Sequence, residues 1–328
     1  MKYHIPAFFL MLLLAFPLLC AGGTVTEALK LSIRDSVVIM DRYATRWRLP
    51  GVVVEKGYIL APTPAIRIRQ RYFFETISGK RFYASLRCHD CLSGFSLFET
   101  TCRDLTPIRL ASGCQAGDLI VMIGDNQNNF PYYFEGNVSA ASNQYLMLNL
   151  LSSFRGTSGD LVLNTKGELV GAFGKTCAKM QEILQAKLDV HLGGYGMNIA
   201  LPACRIQRIF QDLKKYGKVR RGMLGVVVDR TDAGIAIQEV LPASPAEKAG
   251  LQPGDVITAF NGKTITSIDE LVFKIRSTQP GFPARLTILR GNQQLDVQVR
   301  LHQINYQFDF ELDEDIDPQE LQLFLKMA

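Results

Sequence analysis

Ser158 is the residue whose surroundings most clearly suggest covalent chemistry. It stands in the segment 155–163, RGTSGDLVL, between small residues and before a β-prone run. Many serine hydrolases present their nucleophile as Gly-x-Ser-Gly. A serine hydroxyl alone is a weak nucleophile at neutral pH, so Ser158 needs a nearby base to take its proton. The chemistry it could perform is acyl transfer, provided that the fold supplies that base.

The histidines are the first place to look for the base. The sequence holds four of them: His4, His89, His191 and His302. His4 falls in an apolar N-terminal segment, and His302 lies beyond the last predicted core strand. His89 and His191 remain, but neither stands in a motif that would present a general base. A lysine as base is an alternative that no motif supports.

Thiol chemistry is the second kind that the sequence offers. Six cysteines follow Cys20: Cys88, Cys91, Cys102, Cys114, Cys177 and Cys204. An even number in an exported protein predicts disulfides. Six cysteines allow 15 pairings, and we expect Cys102 with Cys114, which a short segment containing Pro107 separates.

A metal site is the alternative for the segment 88–91, CHDC. Four consecutive residues do not easily face one ion, and no second Cys-x-x-Cys completes a tetrahedral set. We therefore expect no metal and no other cofactor.

The first 23 residues have the pattern of a signal peptide or an N-terminal anchor. Lys2 precedes an apolar run, Ile5–Leu19, and small residues follow Cys20. The run is short for a spanning helix, although an uncleaved anchor stays open. Lipidation of Cys20 is a further alternative, which the large Leu19 before it disfavours. We expect an exported protein, periplasmic or extracellular, that is soluble or anchored by this segment.

Length and composition indicate a globular protein of two or three domains. The chain has 328 residues, 47% hydrophobic and 20% charged, and a formal net charge of +5. Its densest basic stretch, residues 66–71 (IRIRQR), alternates like the polar face of a strand. This pattern favours a solvated sheet surface over a nucleic-acid site.

The elements around Ser158 are mostly short strands. Residues 51–174 contain β-prone runs separated by turns, with no long helix, which predicts a barrel or a sandwich. Helical spacing appears before them, in residues 24–35, and after them, in residues 201–219 with Gly217 as the stop. Residues 175–187 predict a helical insertion. Residues 220–301 predict a compact mixed unit, and the acidic tail after it ends in a helix.

Several segments together resemble the HtrA/Do family of exported serine proteases. They are GVVVEKGYIL, PIRLASGCQAGDLIVMIGD, GTSGDLVLNTKGELVGAFG, GYGMNIALP, KYGKVRRGMLGV and SPAEKAGLQPGDVITAFNGKTI. The resemblance implies a mainly β fold, a trypsin-like double β-barrel followed by an α+β PDZ domain and a short C-terminal helix. The implied boundaries are 24–216 for the protease-like domain, 217–303 for the PDZ domain and 304–328 for the tail.

The resemblance places Ser158 at the nucleophile position, and Gly156 at a position that supplies an oxyanion-hole N–H. The family's histidine position holds Pro64, and its aspartate position holds Gly94. Two of the three triad members are therefore missing. Asp160 also replaces a family glycine, and its charge would oppose a developing oxyanion.

The PDZ part keeps the residues that bind a peptide. The resemblance places the carboxylate-binding loop at Gly222, Met223, Leu224, Gly225 and Val226. The helix 268–277 would form the other wall of the groove, with Leu271, Val272 and Ile275 as pocket residues. Asp255 is expected to brace a turn. The alternative is a groove that is purely structural or occupied by the chain itself.

These features predict an exported pseudoprotease that binds C-terminal or unfolded peptides, as a chaperone or scaffold. The alternative is an active serine endopeptidase in protein quality control. The resemblance also implies a homo-oligomer, a trimer, with Tyr43 and Trp47 as contacts. No nucleic-acid partner is expected.

Overall fold

The computed structural model describes residues 22–41, 48–62, 71–90, 92–124, 131–150, 159–174, 198–232 and 234–303. The chain divides into two units, Met1–Lys218 and Val219–Ala328, which are treated separately below. Several expectations concern residues outside the described ranges: the N-terminal segment with Cys20, Tyr43, Trp47, Pro64, Gly156, Ser158, the insertion 175–187 and the acidic tail.

The first unit opens with helix α1 (Gly22–Ile33), whose Leu29 and Ile33 are buried. The next six described strands are β1 (Val37–Asp41), β2 (Arg48–Glu55), β3 (Tyr58–Pro62), β4 (Tyr72–Thr76), β5 (Arg81–Asp90) and β6 (Phe95–Glu99). They close into a barrel in the order β1-β2-β3-β6-β5-β4. Alternating side chains of β5 are buried and exposed, as expected for a strand with one face toward a core.

The second barrel repeats the strand order of the first. Its described strands are β7 (Leu119–Gly124), β8 (Tyr132–Ala141), β9 (Leu146–Leu150), β10 (Leu161–Asn164), β11 (Leu169–Ala172) and β12 (Asn198–Pro202). They close in the order β10-β11-β12-β9-β8-β7, which is the first barrel's order read from its other end. The linker between the barrels is held by backbone hydrogen bonds to both of them, Ile108 N–H to Val53 O and Ala111 N–H to Leu169 O.

Helix α2 (Ala203–Tyr216) follows the second barrel. Its buried face includes Ile206, Ile209 and Leu213, as the helical spacing predicts. Lys214 reaches back to Glu55 of β2 with an N–O distance of 2.7 Å. The helix ends at Gly217, whose φ of +70° is a left-handed conformation that favours glycine. The expected stop is confirmed.

The described part of the second unit has a main sheet, a separate two-stranded sheet and two helices. Its described elements are β13 (Gly222–Met223), β14 (Val226–Thr231), β15 (Gly234–Val240), α3 (Pro245–Lys248), β16 (Val256–Phe260), β17 (Lys263–Thr264), α4 (Ile268–Ser277), β18 (Pro283–Arg290), β19 (Gln293–Arg300) and β20 (His302–Gln303). The main sheet runs β14-β15-β16-β18-β19, and β13 pairs separately with β20. Helix α4 contributes Leu271 and Ile275, both fully buried, to the core of this unit.

The expected fold class is confirmed as mainly β, with a double barrel followed by a smaller α+β unit. The individual strands β8, β9 and β12 were not anticipated from the sequence. In the described residues, no helix combines the length and the apolar character that a membrane span requires.

The expected pairing of Cys102 with Cys114 is wrong. Both are free thiols. Cys102 packs against the core of the first barrel and Cys114 against the core of the second. The short separation in sequence did not reveal that the linker carries the two side chains to different barrels.

Candidate functional site

The edge where β3 ends and β6 begins is the part of the first barrel that should carry the triad's histidine and aspartate. Ala61 pairs with Ser96 and Pro62 with Phe95. This register brings the residues that follow β3 and those that precede β6 to the same end of the barrel. Pro64 lies two residues past the end of β3, outside the described residues, whereas Gly94 is described.

Gly94 belongs to a tight turn whose backbone conformation disfavours an aspartate at this position. Its φ is +80°, a conformation that strains residues with a Cβ. Its N–H donates to Asp90 O at 2.9 Å. The carboxylate of Asp90 accepts a 2.7 Å hydrogen bond from the Ser93 N–H. The carboxylate of Asp90 therefore stabilises the turn through this hydrogen bond.

The second barrel meets this edge at Gly159, the residue after Ser158. The Gly159 N–H donates to Phe173 O at 2.6 Å. A Cβ at Gly159 would lie 2.2 Å from Cγ of Pro62, and φ at Gly159 is +105°. The ring of Pro62 therefore packs directly against the backbone beside the nucleophile position, and only glycine fits at position 159.

A second glycine, Gly174, also joins the second barrel to the first. A Cβ at Gly174 would lie 2.6 Å from Ser93 O. The two close approaches, at Gly159 and Gly174, hold the end of the first barrel against the second. They fix the backbone at Gly159 and Gly174 relative to the end of the first barrel.

Asp160 is a buried carboxyl group two residues after Ser158. It is 1% exposed. A Cβ at Gly124, the last residue of β7, would lie 2.9 Å from Asp160 Oδ1, so the carboxyl group packs against that backbone. The acidic side chain thus points into the protein. Ser158 and Gly156 themselves fall outside the described residues.

The described histidines do not stand at the edge of β3. His89 lies on β5 opposite Ser96, and β6 separates β5 from β3. Two strand spacings amount to about 10 Å, beyond the reach of a hydrogen bond to the end of β3. His302 belongs to the second unit, and His4 and His191 are outside the described ranges.

The thiol of Cys88 is engaged in packing. Its Sγ lies 3.5 Å from Leu213 O of α2. Burial raises the pKa of Cys88 to about 11, so the thiol is protonated at neutral pH. No group of His, Cys, Asp and Glu in the described residues has the arrangement of a metal site. Cys91 lies outside them.

The second candidate site is the free edge of β14 in the second unit. Within the described sheet, β14 is an edge strand, paired only with β15. In the loop before it, the adjacent N–H groups of Leu224 and Gly225 donate to no backbone partner among the described residues, and both residues are buried. Successive N–H groups beside a left-handed residue form a concavity that binds an anion such as a carboxylate.

Gly225 gives this loop its shape. Its φ is +83°, and a Cβ there would lie 2.3 Å from Cβ of Ser244. Both carbonyl groups of the pair are already held, since Leu224 O accepts from Ala246 N–H and Gly225 O from Leu241 N–H, each at 2.9 Å. With the carbonyl groups fixed, the two N–H groups keep their orientation. The sequence did not mark Leu241 and Ser244 as supports of this loop.

Gly222 and Met223, the first two residues of the predicted loop, form its base. The Gly222 N–H donates to Thr278 O at 3.1 Å, so it is not available to a ligand. Met223 pairs with His302 of β20. The neighbourhood of Gly222 is tight, since a Cβ there would lie 2.6 Å from Ile275 O.

The structure brings the predicted pocket residues together, but in the core. Leu224, Val226, Leu271, Val272 and Ile275 all belong to one buried cluster. Leu271 and Ile275 are 0% exposed and Val272 is 6% exposed. Their side chains are not open to a ligand in this conformation.

Asp255 braces a turn, as expected. It is 1% exposed and receives two bonds from Arg290, Nε to Oδ1 at 2.7 Å and Nη2 to Oδ2 at 2.8 Å. It also accepts from the Gln252 N–H at 2.9 Å. Burial alone would raise the pKa of Asp255, but these bonds and the Arg290 charge hold it below its usual value.

Comparisons with known proteins agree with this geometry. The family described as PDZ domain matches residues 222–301. The periplasmic pH-dependent serine endoprotease DegQ of Escherichia coli is 32% identical over 276 residues, which cover 76% of this chain and 58% of the relative. The serine endoprotease DegS of Haemophilus influenzae is 31% identical over 268 residues, which cover 76% of this chain and 75% of the relative.

Solved structures share the fold. The crystal structure of the serine endoprotease from Yersinia pestis matches with a TM-score of 0.59 and 24% identity, over 86% of this chain and 98% of that chain. The HtrA-type protease AlgW with a tripeptide matches with a TM-score of 0.61 and 19% identity, over 85% of this chain and 97% of that chain. The chain spans less than two thirds of some longer relatives, for example 57% of a probable periplasmic serine protease of Haemophilus influenzae.

Proposed function

The chain belongs to the HtrA family of serine proteases, and from this premise we propose that it works by binding peptides through its PDZ groove, without cleaving them. It acts as an exported pseudoprotease, in the manner of a chaperone or scaffold. Its ligands are the C-terminal segments of other proteins, including unfolded ones.

The observation that carries this proposal is the pair of free N–H groups at Leu224 and Gly225. They stand at the start of β14, whose outer edge has no partner strand in the described sheet. A peptide can add to such an edge as a further strand, with its terminal carboxylate on the two N–H groups. The side chains of Val226, Leu271, Val272 and Ile275 would then form the pocket for the last residue, once α4 moves outward by a small amount.

The loss of the triad supports the second half of the proposal. Pro64 has no titratable group, so it cannot take the proton of Ser158, and Gly94 cannot orient a base. In one serine protease the loss of the histidine costs about as much as the loss of the whole triad, roughly a millionfold in turnover. An intact oxyanion hole formed by Gly156 and Ser158 would leave only a residual rate acceleration of about 10³- to 10⁴-fold over the uncatalysed reaction in water.

Export is supported by two independent observations. The first 23 residues have the composition of a signal peptide or anchor. Several relatives carry the word periplasmic in their names. An oxidising, extracytoplasmic compartment is therefore the proposed location, with or without anchoring by the N-terminal segment.

The experiment measures binding of fluorescent peptides to the full chain by anisotropy. Peptides that end in a hydrophobic residue with a free carboxylate should bind, and the same peptides amidated at the C-terminus should lose at least tenfold in affinity. A peptide of the same composition in scrambled order controls for unspecific hydrophobic binding. Equal affinity of the free and amidated forms would contradict the proposal, because the N–H groups would then hold no carboxylate.

The same protein is incubated with casein to test the absence of cleavage. No fragment should appear beyond the amount seen with the Ser158→Ala variant. Cleavage that depends on Ser158 would favour the alternative function, an active serine endopeptidase. The peptide-binding half of the proposal would then still be tested by the anisotropy measurement.

A further inference from the structure

A cleft of about 230 Å³ on the second barrel has two cysteines in its lining. It lies between the segment that enters β7, the turn between β8 and β9, and the first turn of α2. Cys114 contributes from the first of these segments and Cys204 from the last. The two residues are far apart in sequence, so the barrel fold alone brings them to one cleft.

Cys204 is the accessible member of the pair. It is exposed, and its Sγ lies 3.9 Å from the backbone oxygen of Asn143 in the β8–β9 turn. It is the second residue of α2, which begins at Ala203 after the N-cap residue Pro202. A reagent in solution can therefore reach the sulfur of Cys204 from the open side of the cleft.

Cys114 is the sheltered member. It is partly buried and packs against the core of the second barrel. Burial raises the pKa of its thiol, and the charges of Asp118 and Cys204 raise it further. The placement of both residues in the lining of one cleft is the observation that brings the two thiols together.

We propose that Cys114 and Cys204 are a redox pair, which forms a disulfide when the protein meets a disulfide-bearing oxidant. The bond ties the N-terminus of α2 to the segment that leads into the second barrel. It also closes the cleft between them.

The reaction is two steps of thiol–disulfide exchange. The thiolate of Cys204 attacks one sulfur of the oxidant disulfide, and the other sulfur leaves as a thiolate. Cys114 then loses its proton and attacks the sulfur of Cys204, which releases the second oxidant thiol. One S–S bond of the oxidant is replaced by one S–S bond of the protein. The protein thiols lose two electrons, which reduce the oxidant to two thiols.

The other described cysteines do not compete for this bond. Cys88 is engaged with Leu213 O, and Cys102 packs against the core of the first barrel. Neither lines the cleft. Cys91 and Cys177 lie outside the described residues, and the mapping below includes them.

The test uses the purified full chain, which is first reduced, freed of reductant and then exposed to oxidised glutathione. Remaining thiols are alkylated, and the digest is mapped by mass spectrometry without reductant. We expect one cross-linked peptide pair that joins Cys114 to Cys204. The Cys204→Ser variant should lose it, and the matched Cys102→Ser variant should keep it.

Thermal unfolding gives a second readout. The bond would enclose roughly 90 residues, so reduction should lower the Tm of the wild type by about 5 to 15 °C. The double variant Cys114→Ala/Cys204→Ala should show no such dependence on reductant. Glutathione adducts on both cysteines, or a cross-link from either one to another cysteine, would overturn the proposal. Because the oxidant is added in vitro, the outcome is independent of export and of peptide binding.

Discussion

Pro62 of the first barrel packs on Gly159 of the second, so closely that a Cβ at Gly159 would lie 2.2 Å from the Cγ of the proline. This contact joins the last residue of strand β3 to the residue that follows Ser158 in the sequence. It joins the two barrels beside the position where a protease of this family performs its chemistry. Its tightness makes it a good place to test how the barrels are held together.

The first prediction concerns Gly159→Ala. The added methyl group must both adopt a positive φ and displace Pro62, so the variant should lose about 2 to 4 kcal/mol of unfolding free energy. Gly117→Ala is the matched control, because its φ is +94° and nothing lies within 4 Å of the added atom. Denaturant unfolding measures both. Equal losses would mean that the contact with Pro62 costs nothing.

The second prediction concerns the reactivity of Ser158. Without a base, its hydroxyl should not react with a fluorophosphonate probe, and the labelling of the wild type should equal that of Ser158→Ala. The E. coli relative DegQ, labelled in parallel, controls for the quality of the probe. Labelling that is specific to Ser158 would reveal a base that is not one of the described histidines.

The third prediction concerns the restoration of activity. Pro64→His alone should not produce measurable casein cleavage, because Gly94 leaves the new imidazole without an acid to orient it. In a protease with a complete triad, loss of the orienting acid lowers turnover roughly 10⁴-fold. The Pro64→Ala variant controls for the removal of the proline ring itself. Cleavage by Pro64→His that Ser158→Ala abolishes would show that orientation comes from another group.

The fourth prediction concerns acid stability of the second unit. The pKa of Asp255 is lowered from 3.8 in the folded protein, so the unfolded chain binds its proton first as the pH falls. The stability that the Asp255–Arg290 pair provides is therefore complete above about pH 5 and is lost as the pH falls below about 4, toward the lowered pKa.

The measurement is scanning calorimetry of the full chain across that range. Asp255→Asn should lower the Tm of the second unit by roughly 5 °C at pH 7 and should flatten its decline between pH 5 and 3. Asp232→Asn, at an exposed position, is the control and should change neither. A variant at Asp255 with the full pH dependence of the wild type would contradict the assignment.

The sequence by itself determined many of the elements and the family of this protein. Period-two alternation and turn residues predict most strands of the first barrel, and Gly217 marks the end of α2, because these signals act over a few residues. The motifs also predict that Pro64 and Gly94 occupy the family's histidine and aspartate positions. These assignments depend on residue identity at fixed spacing, which the sequence contains in full.

Only the tertiary structure decided which distant residues meet. Cys114 was expected to pair with its neighbour in sequence, Cys102, and instead shares a cleft with Cys204. The packing of Pro62 on Gly159 and the support of Gly225 by Ser244 are likewise contacts between separate elements. The closure of a barrel determines these contacts through strand order and register. A local sequence pattern does not contain the information on which distant side chains a closed sheet brings together.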